Sequence, residues 1–509
     1  MKYISTRGQA EPCSVTHAIL QGIAEDGGLY VPERFPDTQF DWEKLAGYSY
    51  AELAQYVLAP FLPEFSEAEL ADCLKEAYEG PFERACVAPL VQVGDVHFLE
   101  LFHGRTAAFK DMALSLLPRL LTASIRKEHE QKKIAILTAT SGDTGIAALK
   151  GFENVPGTDI IVFFPEHGVS PVQKQQMRTA EGDNTHVIGI EGNFDDAQRG
   201  VKRMLGDPAF LAEIDRRGYR LTAANSINIG RLLPQVAYYV WAYVRLVASG
   251  ALLPGEPMNI AVPSGNFGNI LAGYYAQRIG VPIKNRICAS NRNRILADFF
   301  ETGVYDARRP LYVTNAPSMD ILVSSNLERL LFELAGRNGK SVASWMKDLA
   351  YDGCYEVDAA LKEALGVRSA NAGGADEKQA SRSAFIYGGS CDEGDIERAI
   401  GDVYRAHGYV MDTHTSAAYN VYRTYVKQTG DTTPVVITAT ASPYKFAGSV
   451  CRALGLPEAT DEFLAIDTLA KATGIPVPAG LRGLAERIVR HTAIARPDTM
   501  EEAALSGLR

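Results

Sequence analysis

Lys110 ends the run His103-Gly104-Arg105-Thr106-Ala107-Ala108-Phe109 and is followed by Asp111 and the apolar helical pattern Met112-Ala113-Leu114-Ser115-Leu116-Leu117. An amine among Ala107, Ala108, Phe109 and Met112 is poorly solvated as a cation. Low dielectric favours the free amine, which is the form that attacks a carbonyl and makes a Schiff base. Taken alone, the pattern reads equally as a half-buried lysine whose stem covers apolar surface.

Two glycine-rich turns follow, each between a strand pattern and a helix pattern. In Pro263-Ser264-Gly265-Asn266-Phe267-Gly268-Asn269, the glycines allow close approach, and the N–H groups of 265–269 could wrap a phosphate without a basic side chain. Ser141-Gly142-Asp143-Thr144-Gly145 adds two hydroxyls and suits a carboxylate. Asn225-Ser226-Ile227-Asn228-Ile229-Gly230-Arg231 sets amides beside an arginine able to grip a second anion through two parallel hydrogen bonds. Each stretch has an ordinary reading as a turn with helix caps. Their order along one chain, with Lys110 first, is the more specific signal and matches the needs of a pyridoxal phosphate enzyme.

The elements that position these residues alternate. Strand patterns cover Val96–Leu101, Lys133–Thr140, Asp159–Phe164, Thr185–Ile190, Met258–Val262 and Val435–Thr440, with helices between them. Apolar strands alternating with helices predict α/β architecture, with mostly parallel open sheets flanked by helices. Pro118 is expected to kink or end the helix that Lys110 opens. The expected divisions are an N-terminal, mainly helical domain (1–95), a cofactor-lysine α/β domain (96–250), a large α/β domain carrying the phosphate loop (251–460) and a helical C-terminal extension (461–509). Residues 368–383 read as a polar surface insertion.

The chain has 509 residues, 46% hydrophobic and 22% charged, with a net charge of −10. No basic run or aromatic-basic motif suggests nucleic acid. The apolar stretch near Val236–Val247 is too short for a membrane span and contains Arg245. Seven scattered cysteines without a Cys-x-x-Cys pair argue against a disulfide framework or a zinc site, and no other metal pattern is present. With no hydrophobic signal core after Met1, the expected location is the cytoplasm.

On these residues the chain resembles the threonine synthases of the long bacterial and fungal type, pyridoxal phosphate enzymes of fold type II related to tryptophan synthase β. The resemblance runs from Met1-Lys2-Tyr3-Ile4-Ser5-Thr6-Arg7 and Asp26-Gly27-Gly28-Leu29-Tyr30-Val31-Pro32-Glu33, through the segments above, to Thr440-Ala441-Ser442-Pro443-Tyr444-Lys445-Phe446. It implies that Lys110 is the Schiff-base lysine, with Phe109 beside it. It implies further that Gly265, Asn266, Phe267, Gly268 and Asn269 hold the cofactor phosphate, and that Thr440 faces the pyridine nitrogen. By the same resemblance Asp143 lies near the cofactor ring, Ser141 and Thr144 bind the substrate carboxylate, and Asn228 and Arg231 bind the substrate phosphate. The implied reaction converts O-phospho-L-homoserine and water to L-threonine and phosphate, by a monomer or homodimer. A phospho-lyase releasing 2-oxobutyrate and a non-catalytic phosphate-binding protein are the alternatives. Three positions depart from the family pattern. Arg105 and Ala107 stand in place of Pro and Leu, and Ser442 stands where some relatives carry His.

Overall fold

The computed structural model describes residues 1–84, 86–367 and 385–508; the expected insertion at 368–383 lies outside them. Near the N-terminus, β1 (Tyr3–Ser5) and β2 (Tyr30–Pro32) pair antiparallel. The helices Tyr50–Leu58 and Glu67–Tyr78 follow, each opened by a serine capping box. β3 (Leu90–Val93) and β4 (Val96–Glu100) form a hairpin across Gly94-Asp95, where Gly94 takes the positive φ of 60° that a two-residue turn requires. The expected division at 95/96 therefore falls inside a hairpin.

The strands β5 (Lys133–Ala139), β6 (Thr158–Pro165), β7 (Thr185–Ile190) and β8 (Tyr219–Ala223) form one wholly parallel sheet. A second sheet contains β9 (Met258–Pro263) and β10 (Ile283–Ser290), and a short antiparallel pair is made by β11 (Val304–Asp306) and β12 (Cys354–Glu356). β13 (Tyr387–Ser390) and β14 (Val435–Ala439) complete the second sheet, in the order β13-β10-β9-β14-β4-β3. Only the β3–β4 pair in that sheet is antiparallel. The strand expected at 96–101 thus pairs with β14, not with the β5–β8 sheet.

The C-terminal extension is not wholly helical. After the helix Glu462–Thr473 the chain crosses to the other sheet and adds β15 (Ala493–Ala495), parallel to β7, before the helix Met500–Gly507. β15 therefore completes the order β15-β7-β6-β5-β8.

Central strands are buried on both faces, which explains their continuous apolar character; every residue of β9 and β14 is buried. The apolar stretch near 236–247 is part of the buried helix Ile229–Ala248, and among the described residues no helix is long and apolar enough to cross a membrane. Lys110 immediately precedes the short helix Asp111–Leu114, which stops before Pro118. That proline sits in the first turn of the next helix, Leu117–Lys127, where its missing N–H costs nothing.

Candidate active site

Open α/β sheets bind ligands beyond the carboxyl ends of their strands. Five such ends converge here. From the second sheet come the lysine loop after β4, the glycine loop after β9 and Thr440 after β14. From the first come the 141–145 turn after β5 and the 225–231 turn after β8. A single cleft is lined by Phe109, Lys110, Asp143, Thr144, Arg231 and Thr440 together with the whole glycine loop from Gly265 to Asn269.

The lysine loop is laid along the end of β14. Phe109 N–H donates to the Thr440 carbonyl at 2.7 Å and Ser442 N–H to the Ala107 carbonyl at 3.0 Å. To make this turn Ala107 adopts φ 58°, in the left-handed region that costs a non-glycine residue roughly 1–2 kcal/mol. Asp111 closes the loop by accepting from the Thr106 N–H and hydroxyl, both at 2.8 Å. Gly104 is needed there, because a Cβ would come within 2.5 Å of the Asp111 side chain. Burial pushes the Asp111 carboxyl up to about 6.

Lys110 is half-buried, with its ammonium 4.2 Å from the centre of the Phe109 ring. Burial and, secondarily, the charge of Arg231 lower its pKa from 10.5 to about 8, against the opposing pull of Asp143. The amine therefore supplies a useful fraction of free base near neutral pH.

The glycine loop has unspent donors. Among the described residues, the N–H groups of Gly265, Asn266 and Phe267 make no hydrogen bond. Gly265 has no room for a side chain, since a Cβ would lie 2.5 Å from the Ser318 carbonyl oxygen. Phe267 stands at φ 67°, and the helix Gly268–Arg278 begins behind it. Asn269 accepts from the hydroxyls of Tyr238 at 2.8 Å and Tyr239 at 2.5 Å, and its buried Nδ2 has no partner among the described residues. Arg231 is 2% exposed, forms no ion pair among the described residues and leaves Nε without a partner. Burial lowers its pKa to about 10, so it stays charged. Buried donors without acceptors are costly unless an anion completes them. The residues present fit pyridoxal phosphate: a phosphate cradle, a low-pKa lysine and the neutral Thr440 share one cleft.

Other expected residues are placed differently. Asn228 does not reach the cleft. Its Nδ2 donates to the carbonyls of Ile19 and Ala223, and its Oδ1 caps Gly230, so its whole amide is spent on starting the 229–248 helix. Asn225 and Ser226 line the cleft instead. Ser141 is half-buried at the edge, outside the lining set, whereas Thr144 belongs to it. Arg105 is exposed, and Ser442 is buried behind the lysine loop, where it accepts from the Tyr444 N–H.

Asp143 lines the cleft with a carboxylate that is already engaged. Its Oδ1 lies 2.8 Å from Lys445 Nζ and accepts from Gln173 at 3.0 Å. Burial pushes its pKa up, but Lys445 and Gln173 outweigh that and hold it below the usual range. Lys445 lies in the 440–446 segment, but its partners are remote in sequence. His414, another lining residue, accepts the Ser318 N–H at 3.1 Å and pairs with Asp412 at 2.9 Å. Its signal is the capping run Asp412-Thr413-His414-Thr415.

An open two-sheet α/β fold with a phosphate cradle facing a low-pKa lysine defines a pyridoxal phosphate-dependent enzyme of fold type II. Models described as "Threonine synthase N terminus", "Pyridoxal-phosphate dependent enzyme" and "Threonine synthase, C-terminal" match residues 2–78, 87–370 and 415–503. The chain belongs to the threonine synthase family. It is 42% identical to threonine synthase of Pseudomonas aeruginosa over 459 residues, covering 89% of this chain and 90% of that one. It is 38% identical to human threonine synthase-like 1, over 87% of this chain and 58% of the relative. The crystal structure of pyridoxal phosphate-bound threonine synthase from Brucella melitensis superposes with a TM-score of 0.84 at 36% identity, covering 100% of both chains.

Proposed function

We propose that the protein converts O-phospho-L-homoserine and water to L-threonine and phosphate in the cytoplasm. Family membership carries the reaction, and Arg231, a buried cation without an anionic partner among the described residues, carries the choice of a phosphorylated substrate. All seven cysteines are free, which supports a reducing compartment.

Pyridoxal phosphate, when bound, supplies the electron sink that lets a proton leave Cα of an amino acid. Gly265, Asn266, Phe267, Gly268 and Asn269 would hold its phosphate, Lys110 its carbonyl carbon, and Thr440 its ring nitrogen through a neutral hydroxyl. Phe109 and Asp143 would border it. Thr144 N–H and hydroxyl, at the start of the Asp143–Phe152 helix, suit the substrate carboxylate, with Ser141 at the rim. The Lys110 amine, as free base beside the substrate, would take the Cα proton and later return it. Arg231 grips the substrate phosphate and steadies the charge it carries away. Net, Cγ exchanges phosphate for hydrogen and Cβ exchanges hydrogen for the hydroxyl of water.

Product analysis with O-phospho-L-homoserine tests this reading. Threonine and phosphate in equal amounts are expected; 2-oxobutyrate as the main organic product would replace it with the lyase. Arg231→Ala should raise KM for the phosphorylated substrate roughly 100-fold, the worth of a charge-assisted pair of hydrogen bonds. A variant with wild-type KM would remove Arg231 from phosphate recognition.

A further inference from the structure

The 225–231 turn and the 265–269 loop belong to different sheets. No sheet hydrogen bond sets the distance between them, yet cofactor and substrate must fit both together. The segment that joins them is 324–329, at the start of the helix Leu327–Leu334.

Arg329 is fully buried and forms no ion pair among the described residues. It donates from Nε to the Tyr30 carbonyl at 2.9 Å, from Nη1 to the Ser226 carbonyl at 3.2 Å and from Nη2 to the Ile227 carbonyl at 2.6 Å, and Nη1 also reaches Asn326 Oδ1. Asn326, also fully buried, uses Nδ2 twice: toward Ser226 Oγ at 2.9 Å and toward the Asn266 carbonyl at 2.9 Å. Its own N–H donates to the same Asn266 carbonyl at 3.1 Å. Ser324 Oγ donates to the Gly265 carbonyl at 2.7 Å. One amide and one guanidinium thus hold both anion-binding segments.

The N-terminal motifs brace this junction. Tyr30 lies in β2, and Thr6 and Arg7 both donate to Glu328, the neighbour of Arg329, at 2.7 Å and 3.1 Å. This gives a physical task to Thr6-Arg7 and Asp26–Glu33, which carry no chemistry of their own. A buried cation held only by neutral oxygens is expensive; here it fixes carbonyls of the turn that carries Arg231.

We propose that Asn326 and Arg329 are positioning residues that lock the 225–231 turn to the 265–269 loop, so that an anion on Arg231 tightens the grip on the cofactor phosphate. This rests on the assignment of those two segments as substrate and cofactor anion sites. Because coupling is reciprocal, it is read from either site.

The test uses holoenzyme and inorganic phosphate. Release of pyridoxal phosphate into a scavenger is timed with and without saturating phosphate, and phosphate binding is measured calorimetrically. In the wild type, phosphate should slow release at least about fivefold, the lower end of ordinary coupling. In Asn326→Ala and Arg329→Lys that ratio should fall below about twofold. Simple covering of the cofactor by phosphate would survive in both variants. Ser226→Ala, which removes one hydrogen bond of the lock, should weaken the ratio, and Ser226→Thr, which keeps a hydroxyl, should retain it; this pair decides the matter if the buried variants do not fold. A wild-type ratio near one, or a wild-type ratio in the variants, overturns the proposal. Wild-type phosphate binding by Arg231→Ala would instead overturn the underlying site assignment.

Discussion

Lys110→Ala should lower turnover by at least about a thousandfold, because in the proposed reaction one substitution would remove both the covalent anchor and the proton carrier. Borohydride reduction followed by peptide mass analysis should find the cofactor mass on Lys110 in the wild type and on no lysine in the variant. The amine's depressed pKa adds a test that a merely structural lysine would fail. In cofactor-free protein, capture of pyridoxal phosphate should speed up as pH rises through about 8 and then level off. An ordinary lysine would continue to gain up to 10.5. The stability sign follows from the same shift. The unfolded chain binds this proton more tightly than the folded one, so Lys110 makes the cofactor-free fold more stable as pH rises from about 8 to 10.5. Lys110→Met should remove that rise. Wild-type turnover or an unchanged stability slope in the variants would end the assignment.

The strands around this lysine were legible because local signals decide them. β5, β7, β9 and β14 are buried on both faces, so apolar runs mark them within one or two residues. The glycine loop was legible for a related reason: close approach at Gly265 excludes a side chain, and that leaves a residue-type trace. Asn228 shows the limit. A capping amide and a ligand amide have the same residue type and the same place before a helix; only the carbonyls of Ile19 and Ala223 decide which it is. β15 was missed because three residues at a sheet edge, two of them exposed, lack the alternation that identifies a longer strand. The division at 95/96 failed to follow the sheets because pairing between β4 and β14 spans more than three hundred residues of chain. Lys445 and Arg329 belong with these: each gathers partners from distant segments, and no local pattern announces it.

Lys445 sets the second large effect. Its side chain is fully buried, and its ammonium meets Asp143 Oδ1 at 2.8 Å, Gln176 Oε1 at 2.7 Å and the Thr106 carbonyl at 3.2 Å. Three donors therefore find three acceptors, from the 141–145 turn, the helix Pro171–Arg178 and the lysine loop. Lys445→Met leaves the Asp143 carboxylate buried with Gln173 as its remaining side-chain donor. Breaking a buried pair in this way costs about 3–5 kcal/mol, which denaturant unfolding of the cofactor-free protein would report. Asp143→Leu combined with Lys445→Met replaces both charges by apolar groups of similar bulk and should recover most of that loss. Activity should not recover with it. Asp143 pulls the Lys110 pKa upward, so in the double variant the pH profile of cofactor capture should move to lower pH. A double variant as unstable as Lys445→Met would show that the single change acts by lost packing, not by an unpaired charge. An unmoved capture profile would show that Asp143 does not tune the Lys110 amine. Stability regained without the lost catalytic setting is the outcome that separates the two duties of this pair: holding the turn in place, and holding a negative charge beside Lys110.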